Sequence, residues 1–151
     1  MHNSNDEDFI RLATGFTKIE RRHKRFMNRS LAEYGLTGIP YSYITTIQRN
    51  PGINQDRLAY LQGVDKSRIA RNIRSLEIGG FVSREPYPGD RRRYMLNLTQ
   101  KGEVLYGLIA EISRKWAALM SVGIEASEMG TMVRMIDKII RVLDEKSEKD
   151  S

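Results

Sequence analysis

The sequence of 151 residues contains no cysteine and only two histidines, His2 and His23. Without thiols the chain cannot form a disulfide framework, a thiolate zinc site, an iron–sulfur cluster or a thiol redox sensor. Two histidines this far apart do not predict a metal site, so we expect no metal and no cofactor. No apolar run approaches the roughly 18 residues of a membrane span. Since the acidic start at Asp6, Glu7 and Asp8 is also unlike a secretory signal, we expect a cytoplasmic protein with no membrane partner.

Basic residues outnumber acidic ones, with 25 Lys and Arg against 19 Asp and Glu and a net charge of +6. The surplus is concentrated between Asp65 and Thr99, where eight basic residues accompany four acidic ones. Such a local concentration indicates a polyanionic partner more strongly than a high overall pI does. The length predicts one domain, with or without an appendage, that can bury a core without a metal or a disulfide.

Apolar residues that recur at steps of three and four predict long helices at both ends of the chain. The first runs from about Asp8 to Tyr34. The second has Thr99 as its N-cap and ends at Gly123. The last starts near Ser127 and ends where a charged tail, residues 145–151, begins. Their apolar faces are too long for a small central core, so we expect a homodimer in which a second copy covers them. The alternative is that these helices pack only on their own domain.

The central segment predicts a helix-turn-helix. A helix over Ile39–Arg49 is followed by a short helix for which Asn54 is the N-cap. After a break at Gly63, Asp65 caps a further helix, Lys66–Ile78. The short helix and the helix that follows it are therefore the two members of the motif.

The hydrophobic period then changes from 3.6 to 2, which predicts a β-hairpin. The two strands are Phe81–Glu85 and Tyr94–Leu98, and Pro86–Asp90 forms the turn between them. Three successive arginines, 91–93, lie at its tip. The predicted fold class is mainly α with a small β-wing (α+β), a winged helix-turn-helix.

This fold divides the chain into three parts. We expect an N-terminal dimerisation helix in residues 1–35, the winged helix-turn-helix in residues 36–98, and C-terminal dimerisation helices with a short charged tail in residues 99–151.

The helix after Asp65 has two faces of different character. Ile69, Ile73 and Leu76 span a narrow arc that must face the core. The side chains that project away from this arc are Ser67, Arg68, Arg71 and Ser75, with Asn72 toward its edge. Arginine and asparagine suit guanine and adenine edges, and a serine near a helix N-terminus suits a phosphate. A solvated helix face is the alternative interpretation.

The hairpin tip indicates the same kind of partner. An arginine at the end of a wing can reach the narrow, electronegative minor groove, whereas the alternative role of such a charged tip is solubility. Asp90 is expected to brace the arginines. No partner acid, histidine or metal ligand lies near Asp90 in sequence, so we predict no catalytic residue and no enzyme.

The central motifs resemble the MarR family of bacterial and archaeal transcription regulators. The matching residues are Leu36-Thr37, Asn54-Gln55-Asp56-Arg57-Leu58-Ala59, Val64-Asp65-Lys66-Ser67, Leu76-Glu77-x-x-Gly80-Phe81-Val82, Asp90-Arg91-Arg92 and Leu98-Thr99-x-x-Gly102. The resemblance implies a dimeric winged-helix protein that reads an inverted repeat in double-stranded DNA. The third arginine of the wing, Arg93, departs from the family pattern.

The resemblance also implies particular contacts. Arg92 would enter the minor groove, Asn54 and Gln55 would lie near phosphates, and the exposed side of the helix after Asp65 would face the major groove. The full set of candidate DNA-contacting residues is Asn54, Gln55, Lys66, Ser67, Arg68, Arg71, Asn72, Ser75, Asp90, Arg91, Arg92 and Arg93.

Family members often release DNA when a small aromatic or phenolic ligand binds between the first, second and fifth helices. In this sequence the corresponding candidates are His23, Tyr41, Tyr43, Ile44 and Trp116. Ordinary core packing is the alternative interpretation for all five.

These observations together predict a homodimeric, sequence-specific DNA-binding regulator, a repressor of transcription that a small-molecule effector releases. The alternative is a winged-helix module for protein interaction, in which the wing arginines contact an acidic protein without specific DNA binding.

Overall fold

The computed structural model describes residues 4–149, with side chains described for residues 6–90 and 93–146. Its elements in chain order are α1 (Ser4–Ala32), α2 (Tyr41–Arg49), α3 (Gln55–Gln62), α4 (Lys66–Ile78), β1 (Val82–Tyr87), β2 (Asp90–Leu98), α5 (Gln100–Met120) and α6 (Ala126–Lys149). They form two compact units, Met1–Arg114 and Lys115–Ser151. None of the helices in the described range is long and apolar enough to cross a membrane.

The core of the first unit is built by five helices and the two strands. Its largest fully buried side chains are Met27, Leu31, Ile44, Ile47, Leu58, Ile69, Ile73, Leu76, Leu96 and Ile112. Burying one such side chain contributes roughly 1.5–3 kcal/mol, so three of them on α4 fix the rotation of that helix about its axis. The predicted apolar arc of Ile69, Ile73 and Leu76 is thereby confirmed, and the opposite side of α4 faces solvent.

The two strands form an antiparallel hairpin, called the wing below, in which Val82 pairs with Leu98. The loop before α3 joins this sheet through a bridge between Ile53 and Leu96, whose amide donates to the Ile53 carbonyl at 2.9 Å. Next to it, the amide of Gly52 donates to Asn97 Oδ1 at 2.7 Å. The base of the wing is therefore attached directly to the loop that leads into the helix-turn-helix.

Both strands are longer than the sequence predicted. β1 continues to Tyr87 and β2 begins at Asp90, which leaves Pro88 and Gly89 as the turn. Gly89 has a φ of +85°, a conformation that glycine adopts without strain. The arginines at 91–93 consequently lie in β2 and not in the turn.

Helix boundaries also differ from those predicted. α1 begins at Ser4 and ends at Ala32, where the amide of Leu36 reaches back to the Leu31 carbonyl at 3.0 Å and closes the helix. α2 begins at Tyr41 because Pro40 occupies the N-cap position and not the first turn.

The second unit contains the end of α5, a turn in which Gly123 has a φ of +77°, and α6. The expected start of α6 near Ser127 is one residue from the observed start at Ala126. The charged tail was predicted to lie outside the helix, and this was wrong as far as Lys149. Its lysines and glutamates are good helix formers, so α6 continues through them.

Candidate nucleic-acid interface

The start of α4 is held by its N-cap. The carboxylate of Asp65 accepts the backbone N–H of Arg68 at 2.8 Å, as predicted for a cap. This hydrogen bond lowers the pKa of the Asp65 carboxyl, with a smaller contribution from the amide of Ser67. The ionised carboxylate also complements the positive end of the helix dipole. The first turn of α4, which carries Lys66, Ser67 and Arg68, is therefore firmly placed.

The solvent side of α4 carries the residues predicted for it. Ser67, Arg68, Arg71 and Ser75 are exposed, and this row is called the reading face below. Asn72, at its edge, is only half-exposed, because its amide nitrogen donates to the hydroxyl of Tyr43 at 2.9 Å. The structure thus places the four residues of the reading face on the side of α4 opposite its buried residues, whereas their contacts with DNA stay a prediction.

α3 begins with a second side-chain cap. Asn54 Oδ1 accepts the backbone N–H of Arg57 at 2.8 Å, which confirms its predicted role as N-cap. Gly63 ends the helix in the left-handed conformation, at φ +60°, and so permits the tight turn into α4. Across this turn Lys66 Nζ lies 3.2 Å from the carboxylate of Asp56 in an exposed ion pair.

The wing is joined to both helices by Arg84. Its guanidinium lies 3.1 Å from the carboxylate of Glu77 on α4, and its Nη2 donates to Gln55 Oε1 on α3 at 3.4 Å. The same guanidinium lies over the aromatic ring of Tyr94, 5.5 Å from the ring centre. From the sequence, Arg84 counts only as one of the positive charges between Asp65 and Thr99. The signal in the sequence was the pair of opposite charges, Glu77 and Arg84, on either side of the boundary between α4 and β1.

Arg93 is placed by an aromatic neighbour in the opposite strand. Its guanidinium lies 5.2 Å from the ring centre of Tyr87. A cleft of about 360 Å³ lies between the wing and the start of α3, and its lining residues are Asn54, Gln55, Asp56, Arg84, Arg93, Tyr94 and Leu96. Two arginines and a helix N-terminus on one cleft make it attractive to an anion.

The remaining wing candidates have a mixed outcome. Asp90 is half-buried at the start of β2. Arg91 and Arg92 follow it in the same strand, but their side chains lie outside the described part of the structure. The expectation that Arg92 enters the minor groove therefore stays a prediction.

The Leu98-Thr99-x-x-Gly102 motif joins the wing to α5. Thr99 Oγ1 donates to the carbonyl of Gly80 at 2.6 Å and accepts the backbone N–H of Gly102 at 3.1 Å. A Cβ at position 102 would overlap the carbonyl oxygen of Phe81. The motif thus permits a close crossing of two backbones at the base of the wing.

The four ligand candidates of the first unit have different surroundings. His23 and Tyr41 pack edge to face with ring centres 6.2 Å apart, but Ile44 is fully buried in the core, as the alternative interpretation held. Tyr43 is also buried, at 4% exposure, while Trp116 belongs to the second unit. Partial burial lowers the pKa of His23, against the opposing effect of Glu20, and raises the pKa of Tyr41.

A larger cleft of about 710 Å³ lies between α1, α2 and α4. Residues that line it include Lys24, Tyr41, Tyr43, Arg68 and Asn72, but neither His23 nor Ile44. The cleft therefore extends from Tyr41 and Tyr43 to α4, a connection that the sequence did not predict.

Comparison with known proteins identifies the family. A family model described as "MarR family" matches residues 34–93. A crystal structure of MarR is 33% identical to this chain and superposes with a TM-score of 0.82, over 91% of this chain and 94% of that one. The chain belongs to the MarR family. The predicted winged-helix fold is thereby confirmed, and the protein is a DNA-binding transcription regulator and not an enzyme.

Two further relatives extend this comparison. The HTH-type transcriptional regulator BilQ of Clostridioides difficile (strain CD3) is 31% identical over 98 residues, which are 65% of this chain and 66% of BilQ. A mutant MarR from E. coli, complexed with operator DNA, is 20% identical and has the same fold, with a TM-score of 0.75 over 87% of this chain and 95% of that one. The MarR fold of this chain thus also occurs in a protein bound to its operator.

Proposed function

We propose that this MarR-family protein represses transcription by binding an inverted-repeat operator as a homodimer, and that a small aromatic or phenolic ligand releases it. The observation that carries the DNA-binding part is the reading face of α4. Its exposed arginines and serines lie opposite three buried aliphatic side chains on the same helix. That arrangement suits insertion of α4 into the major groove.

The dimer is supported by exposed apolar surface on the terminal helices. On α1, Phe9, Leu12, Phe16 and Ile19 are 61%, 44%, 38% and 46% exposed, and on α6 Leu143 is 58% exposed. Covering such surface with a second copy stabilises the association. In this proposal residues 1–35 and 99–151 form the dimer contacts and residues 36–98 bind DNA. Two copies then present their α4 helices about 34–36 Å apart, the separation of successive major grooves.

The cleft between α1, α2 and α4 supports ligand control. Tyr41 and Tyr43 supply aromatic and hydroxyl groups, and Lys24 supplies a positive charge. A ligand that binds one dimer geometry better than the other shifts the population toward it and so changes the affinity for the operator. Addition of phenol or benzoate should therefore weaken operator binding, and a ligand that binds without changing this affinity would contradict the release mechanism.

Fluorescence anisotropy tests the DNA-binding part. The operator is the sequence that the wild-type protein enriches from a random DNA pool, and a scrambled duplex serves as the reference. We expect Arg92→Gln to lower operator affinity about tenfold, within the range of a lost base contact. The matched control Arg49→Gln removes one exposed charge from the end of α2, outside the candidate DNA contacts and the proposed dimer segments, and should leave operator affinity nearly unchanged.

The salt dependence separates this proposal from a protein-docking role. A log–log slope of about −5 or steeper indicates many phosphate contacts per dimer. If the wild type enriches no sequence and binds all duplexes equally weakly, while an acidic protein binds to the wing, the docking alternative replaces the regulator.

A further inference from the structure

A hydrogen bond connects the core of the first unit to the edge of the reading face. Tyr43 lies on α2 and is 4% exposed. Its hydroxyl accepts a hydrogen bond from the side-chain amide nitrogen of Asn72 at 2.9 Å. The partners are 29 positions apart in sequence and belong to different helices. Asn72 thus differs from Arg68 and Arg71, its exposed neighbours on α4, because it is held by a side chain of the core.

The chemistry of the amide leaves Asn72 able to read a base while it keeps this bond. An asparagine side chain carries two N–H donors and one carbonyl acceptor. Tyr43 takes one donor, and the remaining donor and the carbonyl are the pair that adenine requires on its major-groove edge. The contact with Tyr43 is therefore compatible with a bidentate contact between Asn72 and adenine.

The surroundings of Tyr43 determine what the bond does. Its neighbour Ile44 is fully buried, so this part of α2 is fixed in the core and the tyrosine ring cannot move freely. A hydroxyl on a fixed ring restricts the rotamers of the asparagine that it contacts. Binding a base then costs Asn72 less conformational entropy than it would cost a freely rotating side chain.

We propose that Tyr43 is a positioning residue for sequence specificity, which holds the amide of Asn72 in the orientation that reads one base pair of each half-site. The inference rests on the DNA-reading function proposed above. It assigns to a buried tyrosine of α2, outside the helix-turn-helix, a part in the choice of operator. Tyr43 itself touches no base in this mechanism.

The test uses Tyr43→Phe in the full-length protein, because phenylalanine retains the ring and removes only the hydroxyl. The operator is again the sequence that the wild type enriches from a random pool, and each base pair of its half-site is then varied in turn. Discrimination is the ratio of the affinities for the operator and for a duplex with one altered base pair. We expect this ratio to fall about fivefold or more at one position, consistent with impairment of a bidentate contact. The affinity for scrambled DNA and the salt slope should not change, because the lost group is uncharged.

The matched control is Tyr60→Phe, which removes an exposed hydroxyl from α3 at a residue outside the candidate DNA contacts and the ligand cleft. It should leave discrimination at every base pair as in the wild type. In an Asn72→Ala background Tyr43→Phe should have no further effect on discrimination, since the residue through which it acts is gone. This absence of a further effect separates positioning of Asn72 from a general loosening of the domain.

Three results would overturn the inference. The first is full discrimination in Tyr43→Phe at every base pair, and the second is an equal loss with and without Asn72. The third is unchanged discrimination in Asn72→Ala. This result would overturn the inference even if Tyr43→Phe does not fold. Failure of the proposed function has a different signature, because the wild type would then enrich no sequence at all.

Discussion

Glu77, near the end of α4, and Arg84, in the first half of β1, form a two-point contact at 3.1 and 3.2 Å. Their side chains are 29% and 32% exposed, so water screens the pair only in part. Because Arg84 also donates to Gln55 at the start of α3, one guanidinium ties together the three elements that carry the candidate DNA contacts. The pair therefore helps to fix the angle between α4 and the wing.

Replacement of Arg84 by glutamine should loosen that angle. We expect Arg84→Gln to lower the free energy of unfolding by about 1 kcal/mol, near the upper end for a surface pair, because the contact is bidentate. Operator affinity should fall further than affinity for scrambled DNA, since only the operator requires helix and wing at the same time. Chemical denaturation and anisotropy measure the two effects.

Glu77→Gln is the companion variant. It leaves the charge of Arg84 without its carboxylate, so affinity for scrambled DNA should rise while the preference for the operator falls. The double variant should lose less unfolding free energy than the sum of the losses in the two single variants. Full additivity would show that the two side chains do not support each other.

Local features of the fold could be predicted from the sequence, whereas contacts between distant elements could not. Asn54 and Asp65 cap α3 and α4 as predicted, because a cap needs only a short polar side chain and an amide three residues later. The pairing of Tyr43 with Asn72 depends on how α2 and α4 pack. No local pattern contains that information, and the same holds for the two-point contact on the wing.

The predicted ligand-binding residues show the same limit of prediction from local sequence. Tyr41 and Tyr43 lie on a cleft, but Ile44, which immediately follows Tyr43 on α2, points into the core. Adjacent helical residues differ by about 100° in direction, so proximity in sequence does not place them on one surface. Only the packing of α2 decides which of them a ligand can reach.

Gly102 should tolerate no side chain. A Cβ there would overlap the carbonyl oxygen of Phe81, and a backbone atom cannot turn aside as a side chain can. We expect Gly102→Ala to lower the free energy of unfolding by about 2 kcal/mol or more, the scale of an overpacked core, as thermal denaturation would show.

Gly107→Ala is the matched control in the same helix, since a Cβ at that position meets nothing within 4 Å. Alanine should stabilise α5 there by about 0.5–1 kcal/mol, because glycine is the poorer helix former. If both alanine variants change stability alike, the close crossing at Phe81 does not govern the joint between the wing and α5.

His23 should make stability depend on pH. Partial burial lowers the pKa of His23 below its ordinary value near 6.5, while Glu20 opposes this shift. The unfolded chain therefore takes up the proton first as the pH falls, so the contribution is fully favourable above pH 6.5 and declines through the lowered pKa. We expect the melting temperature to fall more between pH 7.5 and 5.0 in the wild type than in His23→Gln. A larger fall in the variant would mean that attraction by Glu20 outweighs burial.

Arg93, the arginine that departs from the family pattern, should increase affinity for DNA of any sequence. Its guanidinium is held over the ring of Tyr87 and lines the cleft beside the start of α3, a position suited to a phosphate and not to a base edge. We expect Arg93→Gln to weaken binding to operator and scrambled DNA by the same factor and to reduce the salt slope by about 1 for each Arg93 that contacts a phosphate. Tyr87→Phe keeps the aromatic ring and should bind both duplexes as the wild type does. A loss confined to the operator would instead make Arg93 a base-reading residue, and the direct interaction of this wing with the bases would then extend beyond Arg92.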